Sequence, residues 1–465
     1  MNDWQTVILE DVTESINTGL DAIRRAPIVE HKTNLRCLRI QDISQNKPFD
    51  KWGYTEVKDS DFKKFQLVPN DIIMARTCST GICYLVKKEL PAVFNNGLAR
   101  IRLKIEKVDP KFIYYVFKSK HFSGYIDGIS GGTSVQLNMK IGDLLKYQFN
   151  LPPLSEQKEI ARILSDLDKK IELNTQINQT LEQIAQALFK SWFVDFDPVR
   201  AKVQALSDGL SLEQAELVAM QAISGKTPEE LTALSQTQPE RYAELAETAK
   251  AFPCEMVEVD GVEVPKGWEV KRIDEIANII KGKSYKSSEL EKSKTALVTL
   301  KSFNRGGGYR LDGLKEYTGK YKPEQEVFAG ELIIAYTDVT QAADVIGKPA
   351  MVMSDSNYKH LVISLDVGVV RPFNDVYKHF LYCLAMTDSF QAHTKSFCTG
   401  TTVLHLGKDA VPSFEFINPS NELLHVFYKQ TSPIFEKINL HIEENKNLDK
   451  VKDLLLPRLL SGEIE

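Results

Sequence analysis

Between residues 157 and 190 the chain reads QKEIARILSDLDKKIELNTQINQTLEQIAQALFK, and no other stretch narrows the possible folds so far. Apolar or amide residues recur at Ile160, Leu164, Leu167, Ile171, Asn174, Asn178, Leu181, Ala185 and Leu188, in alternating steps of four and three. A 3.5-residue period keeps one face of a helix turned toward a neighbouring helix, so this is a coiled-coil seam. Neither Gly nor Pro interrupts it; Pro152 and Pro153 stand before it, Ser155 is placed to cap it, and Pro198 lies beyond its end. The spacing predicts one helix of about 50 Å at a rise of about 1.5 Å per residue. Two Asn on the seam lower stability but restrict register, which marks the seam as made for one mate.

The mate lies in the same chain. A shift of 267 residues carries the seam onto Phe427, Thr431, Ile434, Ile438, His441, Asn445, Leu448, Lys452 and Leu455. Lys170-Ile171 returns as Lys437-Ile438, Leu173 as Leu440, and Asn178 as Asn445. Pro433 predicts a second helix that starts near that residue, since a proline in the first turn lacks only a donor that has no partner there. Lys452 stands where the first copy has an apolar seam residue. The Asn at matched positions carry groups able to pair across an interface. The competing reading is two amphipathic helices, each laid on its own domain.

The globular sequence is duplicated as well. Trp4 with Val7, Leu9 and Val12 is echoed by Trp268 with Lys271, Ile273 and Ile276, each read as an amphipathic turn opening a lobe. LVPNDIIMART (67–77) aligns with VFAGELIIAYT (327–337) at an offset of 260. FIYY (112–115) and GGTSV (131–135) match FLYC (380–383) and TGTTV (399–403) at 268, and FNLPP (149–153) matches INPS (417–420). The order lobe, helix, lobe, helix is thus written twice. Strand-like runs such as DIIMA, ARIRLKI, ELIIA and HLVISLDV alternate with turn clusters, while 111–122 and 375–392 read as helical. Each lobe is therefore predicted to be α+β with a bent sheet. Between the copies, 199–262 is rich in Ala, Glu, Gln and Leu, and SLEQAELVAMQAISG and TPEELTALS read as short helices. Thr227, Pro228, Glu229 and Glu230 supply a cap, a first-turn proline and first-turn acids, so the segment is read as an ordered acidic insert.

A chain of 465 residues allows two to four domains, and 43% apolar with 26% charged residues is ordinary for a globular protein. No apolar run approaches the ~18 residues of a membrane span, and the acidic start MNDWQTVILEDVTES is unlike a signal peptide, which predicts a cytoplasmic protein without a membrane partner. Six Cys are scattered without CxxC pairs, so neither a disulfide framework nor a zinc site is indicated. The net charge of −5 hides a partition: 1–150 carries +5, 151–198 carries −3, 199–262 carries −6, 263–418 carries +1 and 419–465 carries −2. A basic first lobe leaves a polyanion partner open. Catalytic signatures are missing. No GxxxxGK[ST] occurs, and Gly306-Gly307-Gly308 followed by Tyr309-Arg310 reads as a turn. Asn150-Leu151-Pro152-Pro153 approaches the Asn-Pro-Pro-aromatic motif that holds an adenine amine, but Leu151 interrupts it. Glu269-Val270-Lys271 has nuclease-like spacing without an acidic strand upstream.

LPPLSEQKEIARILSDLDKKIE, ALFKSWFVDFDPV, VPKGWE and the closing LLLPRLLSGEI resemble the specificity subunit of type I restriction-modification systems, and the resemblance covers essentially the whole chain. The second copy departs from the pattern with Asn418-Pro419-Ser420-Asn421-Glu422 in place of LPPLSEQ. The resemblance implies two pseudo-repeated α+β target recognition domains, at 1–150 and 263–418, separated by two long antiparallel coiled-coil spacer helices in 151–198 and 419–465, with 199–262 as the insert. It implies that each lobe reads one half of a split site in double-stranded DNA, that the rod acts as a ruler, and that the chain is non-catalytic. In such proteins two modification subunits methylate adenine and restriction subunits cleave, so methyl donor, ATP and magnesium belong to those partners and this chain needs no cofactor or metal.

Loops carry binding residues when a scaffold fixes them. The first candidates for base or phosphate contact are the polar loops after the central strands, Arg76, Thr77, Ser79 and Thr80, then Tyr336, Thr337, Asp338 and Thr340. The Gly-Thr loops add Thr133, Ser134 and Gln136, then Thr401 and Thr402. Lys281, Lys283, Tyr285, Asn304 and Arg305 complete the set. The exposed faces of the seam helices with Trp192, Phe193 and Phe196 are a docking surface for the modification subunits, or else those aromatics close the helix end. Two readings from other classes compete: a self-contained restriction-methylation enzyme, and a coiled-coil adaptor without sequence preference.

Overall fold

The computed structural model describes residues 4–130, 138–259, 261–338, 343–401 and 403–463. It forms two compact units, one of residues 1–172 with 446–465 and one of residues 173–445. Each unit contains one α+β lobe, and the lobes repeat one topology.

Each lobe opens and closes on the same antiparallel strand pair. Gln5–Ile8 runs against Gln148–Leu151 with Val7 opposite Phe149, and Glu269–Arg272 runs against Glu415–Asn418 with Lys271 opposite Phe416. The segments after Trp4 and Trp268 begin as strands, and each then runs into a short helical turn, Leu9–Val12 and Ile273–Glu275, that buries Leu9, Val12 and Ile273. The ladder partners of the two strands lie at the far end of the lobe, which local periodicity cannot show.

Each lobe is built on two four-stranded sheets with helices against them, and the second lobe adds a three-stranded sheet of Thr337–Asp338, Leu404–Leu406 and Cys398–Thr399. In the first lobe Thr13–Thr18, Leu98–Leu103, Ile72–Ala75 and Cys83–Leu85 lie side by side in that order. In the second the order is Ala277–Lys281, Val367–Pro372, Leu332–Ala335 and Pro349–Met351. The other four-stranded sheets share a three-strand core, Gly53–Thr55, Arg36–Leu38 and Ala92–Phe94 against Lys315–Glu316, Thr295–Val298 and His360–Ile363, with the last two of each triple parallel. They differ only at an edge: Ile28–Val29 is added beside Gly53–Thr55, and Glu326–Val327 beside His360–Ile363. The acid before each central strand does the same work twice. Asp71 accepts the Val68 amide (3.1 Å) and pairs with Arg102 (2.8 Å). Glu331 accepts the Phe328 amide (2.8 Å) and pairs with Arg371 (2.6 Å). Both close a turn and tie it to the neighbouring strand, a structural role.

Out of each closing strand runs a long helix, Leu154–Phe193 and Asn421–Ser461. The second does not begin near Pro433 but twelve residues earlier, with the Ser420 hydroxyl accepting the Leu423 amide at 3.3 Å. A mid-helix proline costs about 3 kcal/mol. Leu423, Leu424 and Phe427 are all fully buried in this segment, and each such side chain contributes about 1.5–3 kcal/mol, so packing outweighs the break. Pro457 is carried inside the same helix.

The predicted seam residues are buried or half-buried, from Ile160, Leu164, Leu167 and Ile171 through Leu181 and Leu188, and from Ile434 and Ile438 through Leu448 and Leu455. In the second unit the helices run antiparallel, because Asn174 donates to Asn445 Oδ1 (2.8 Å) and to Glu444 (2.8 Å) while Asn178 meets His441 Nδ1 (2.8 Å) and donates to the Ile438 carbonyl (3.3 Å). The shift of 267 carries Asn174 to His441 and Asn178 to Asn445, so the two polar pairs are copies of each other exchanged between the helices. In the first unit the off-pattern Lys452 meets Asp168 at 2.9 Å, and Tyr115 donates to the other Asp168 oxygen at 2.8 Å. Burial works against the Asp168 charge, but the hydrogen bonds from Lys452 and Tyr115 win and hold its pKa below the usual carboxylate value.

Among the described residues the insert holds the helices Leu212–Ser224, Pro228–Thr237 and Pro239–Ala251, after a helix Asp197–Ser207 that leads into it. Leu212–Ser224 and Pro228–Thr237 stand where their caps place them, Thr227 and Glu230 forming a reciprocal box in which each side chain accepts the other's amide (3.3 and 2.9 Å). Ala219, Met220, Leu231 and Ala249 form a small core.

His379 lies 6% exposed between the rings of Tyr428 (4.9 Å) and Phe435 (4.5 Å), its Nδ1 2.8 Å from the Thr431 hydroxyl. Burial, with a smaller push from Lys378, lowers its pKa to about 4. Between pH ~6.5, the ordinary histidine value, and pH ~4 the unfolded chain binds a proton that the folded chain refuses. The stability tied to neutral His379 is thus complete above pH ~6.5 and disappears as pH falls toward ~4, about 3 kcal/mol in all. Denaturant midpoints measured from pH 7 to pH 4 should drop steeply in the native chain, and His379→Gln should flatten that interval.

Candidate nucleic-acid interface

The central strand of each lobe ends in a loop closed by the same two hydrogen bonds. In the first lobe Gly81 N donates to Ala75 O (3.0 Å) and Ala75 N to Ile82 O (2.8 Å). In the second Gly347 N donates to Ala335 O (2.8 Å) and Ala335 N to Lys348 O (3.1 Å). Both glycines have positive φ, +86° and +74°. Both are gripped from a helix: a Cβ on Gly81 would sit 3.2 Å from Ile126, and one on Gly347 would sit 2.5 Å from the Thr394 hydroxyl. The closed loops span residues 76–80 and 336–346, and the six extra residues of the second explain most of the drift in offset from 260 to 268.

The base of the second loop carries further bonds. Asp338 accepts the Val345 amide (2.7 Å) and the Ile346 amide (3.3 Å), and Gln391 donates to the carbonyls of Gly347 (2.9 Å) and Ala385 (2.8 Å). Thr337 and Asp338 add a strand pair to Leu404–Leu406. Tyr336, Thr337 and Asp338 are only 3%, 6% and 2% exposed, which corrects the expectation that they contact bases: the Asp338 carboxylate holds the loop from within, and the Tyr336 hydroxyl is buried without a hydrogen-bond partner among the described residues. Thr340 lies outside the described residues, as do Thr133, Ser134, Gln136 and Thr402. Arg305, 77% exposed, approaches Asp344 of the same loop at 3.8 Å. Lys281 lies 4.6 Å from the centre of the Tyr336 ring. Burial and then the charge of Lys395 lower the Lys348 pKa, with Asp388 opposing them.

In the first lobe Arg76, Thr77, Ser79 and Thr80 are half-buried. Arg76 is held through its backbone, its amide to Gly97 O (2.9 Å) and its carbonyl to Met139 N (2.9 Å), and the Ser130 hydroxyl donates to Thr80 (3.2 Å). Lys283 bonds the Lys320 carbonyl and the Tyr285 hydroxyl meets Lys315 at 3.1 Å, so these two candidates are engaged within the lobe. Asn304 and Thr401 are exposed, the former in a turn closed on Gly308. Replacing Gly347 by Val is expected to lower stability by about 2 kcal/mol, because a β-branched residue is strained at positive φ and its Cβ meets Thr394. Chemical denaturation of the two proteins measures the difference.

Of the two readings of the helix-end aromatics, their burial fits closure of the helix end. Trp192, Phe193 and Phe196 are at most 5% exposed. Phe193 lies 5.2 Å from Phe380 and from Phe427, Trp192 lies 5.2 Å from Phe252, and Phe196 lies 5.7 Å from Trp268. They close the helix end inside the second unit's core and offer no surface to a partner. Exposed apolar side chains on the long helices are Leu173, Ile184, Leu440, Val451 and Leu454; Leu173 with Leu440, and Ile184 with Val451, are equivalents under the 267 shift.

Residues 1–183 and 265–449 match the type I restriction modification DNA specificity domain. The chain belongs to this family. Specificity-subunit relatives include that of the Haemophilus influenzae type I restriction enzyme HindI, 39% identical over the full length of both chains. That of the MjaIX enzyme of Methanocaldococcus jannaschii is 26% identical over 83% of this chain and 76% of the other. The fold is also that of the S subunit of a type I restriction-modification system from M. genitalium, with a TM-score of 0.51 at 16% identity over 99% of this chain and 96% of that one. Among the described residues of this specificity subunit, no helix is long and apolar enough to cross a membrane and no group of three or more His, Cys, Asp or Glu could hold a metal ion. Sequence reasoning missed Gly81, Gly347, Ile126, Gln391 and Thr394. The available signal was a glycine closing each polar loop after matched strands.

Proposed function

We propose that the two lobes each read one half of a split site in double-stranded DNA, and that the chain is an address and scaffold for modification and restriction subunits that carry methyl donor, ATP and magnesium. The observation that supports this most is the duplicated loop: two lobes of one topology, each holding a loop of different length and side chains on a closed, helix-gripped base. A rigid base with variable content suits sequence readout, because base edges are read by a few side chains held in fixed positions. The basic side chains of Lys281, Arg305, Lys348 and Lys395 suit a phosphate backbone. The repeated exposed pairs Leu173 with Leu440 and Ile184 with Val451 suit two identical partners bound in equivalent ways. The test is methyl transfer to DNA by the purified chain with and without modification subunits. Transfer is expected only in the mixture, and transfer by the chain alone would overturn the reading in favour of a self-contained enzyme.

A further inference from the structure

In the first unit, an open groove of about 500 Å³ runs between the lobe and the last turns of the second long helix. Its apolar wall is Val116, Tyr147, Phe149, Leu456 and Leu460, and Lys118, Lys120 and His121 stand on its rim. The second unit holds the copy of these positions. Leu456 and Leu460 correspond under the 267 shift to Phe189 and Phe193, whose rings lie 5.1 and 5.2 Å from Phe380. Beyond them the chain turns through Phe196, at φ +58°, onto Trp268. In that copy the aromatic residues of SWFVDFDP are the filling. The first unit has smaller leucines instead, and Glu463 at the position of Phe196.

The rims also differ. At an offset of 268, Lys118, Lys120 and His121 correspond to Met386, Asp388 and Ser389, with the same cap between them, Ser119 accepting the Phe122 amide and Thr387 the Phe390 amide. Lys118 and Lys120 therefore give the open groove positive charge that the filled copy does not carry at these positions, against one carboxylate in the lining, Asp453. Pro457, in the groove's lining, has no amide hydrogen to give the Asp453 carbonyl one turn earlier.

We propose that this groove binds an acidic, aromatic peptide segment of a partner polypeptide, of the chemistry that Trp192–Pro198 supplies within the second unit. The aromatic side chains enter between Phe149 and Leu460, and the flanking carboxylates face Lys118 and Lys120. The probe is a fluorescent synthetic peptide of the sequence SWFVDFDP, titrated into the full-length chain, beside a control with its three aromatic residues replaced by alanine. Saturable binding of the probe is expected, at least tenfold tighter than the control. Leu460→Asp should weaken it at least tenfold. The exposed pair Lys118→Glu with Lys120→Glu, which leaves the core untouched, should weaken it at least tenfold at low salt and little at high salt. Failure of the probe to bind, equal binding of the control, or indifference to both sets of substitutions would each overturn the proposal.

Discussion

Adding one heptad to each long helix, between Asp168 and Asn174 and between Asn445 and Lys452, is expected to widen the gap between the two halves of the methylated site by about three base pairs. Seven helical residues add about 10 Å, and the duplex rises about 3.4 Å per base pair. The bases of both halves should stay the same, since neither lobe loop is altered. Matched insertions are needed because the seam is polar at its middle. Asn174 is paired with Asn445 and Asn178 with His441, and a heptad added to one helix alone would leave these groups facing apolar positions at about 1–3 kcal/mol each. The single insertion is thus expected to destabilise the protein and the double insertion to preserve it. Unchanged spacing in the double insertion would contradict the ruler.

Lys202→Met is expected to destabilise the second unit by about 3 kcal/mol or more, the largest effect of any single substitution considered. Lys202 is 2% exposed, and its ammonium donates to the carbonyls of Ala249 (2.7 Å), Phe252 (2.7 Å) and, more weakly, Lys250 (3.5 Å). These are the free carbonyls at the end of the helix Pro239–Ala251, where a positive charge also meets the negative end of the helix dipole. Met keeps the apolar stem but supplies no donor, so buried acceptors are left unpaired at about 1–3 kcal/mol each. The ion ties the helix that leads into the insert to the point where the chain returns to the lobe, beside Phe252 and Trp192. Thermal denaturation of the full chain should show an earlier transition, and an unshifted transition would contradict this role.

The duplicated architecture was legible because seam period, loop and helix all recur at nearly constant offset, each with its own local signal. Asn174, Asn178 and His441 stood out because polar residues interrupt an apolar stripe. The start of the second helix was misread at Pro433 because the sequence shows the cost of a mid-helix proline but not the burial of Leu423, Leu424 and Phe427 that outweighs it. In sequence Tyr336 and Asp338 look like exposed readers, because a polar loop after a strand reads the same whether its side chains face water or are buried. Trp192 and Phe193 left two outcomes open, and only their neighbours Phe380 and Phe427, about two hundred residues away in sequence, decide between them. Lys202 gave no warning, since one lysine in an acidic helical segment carries no sign of three distant carbonyls.

The most direct test of the two-reader account is genome-wide mapping of methylated adenines in a host that expresses the chain with its modification partners. The account predicts one asymmetric motif in two specified halves around an unspecified gap, with substitutions in the loop 336–346 altering one half only. A continuous or palindromic motif, or a loop substitution that changes both halves together, would contradict it.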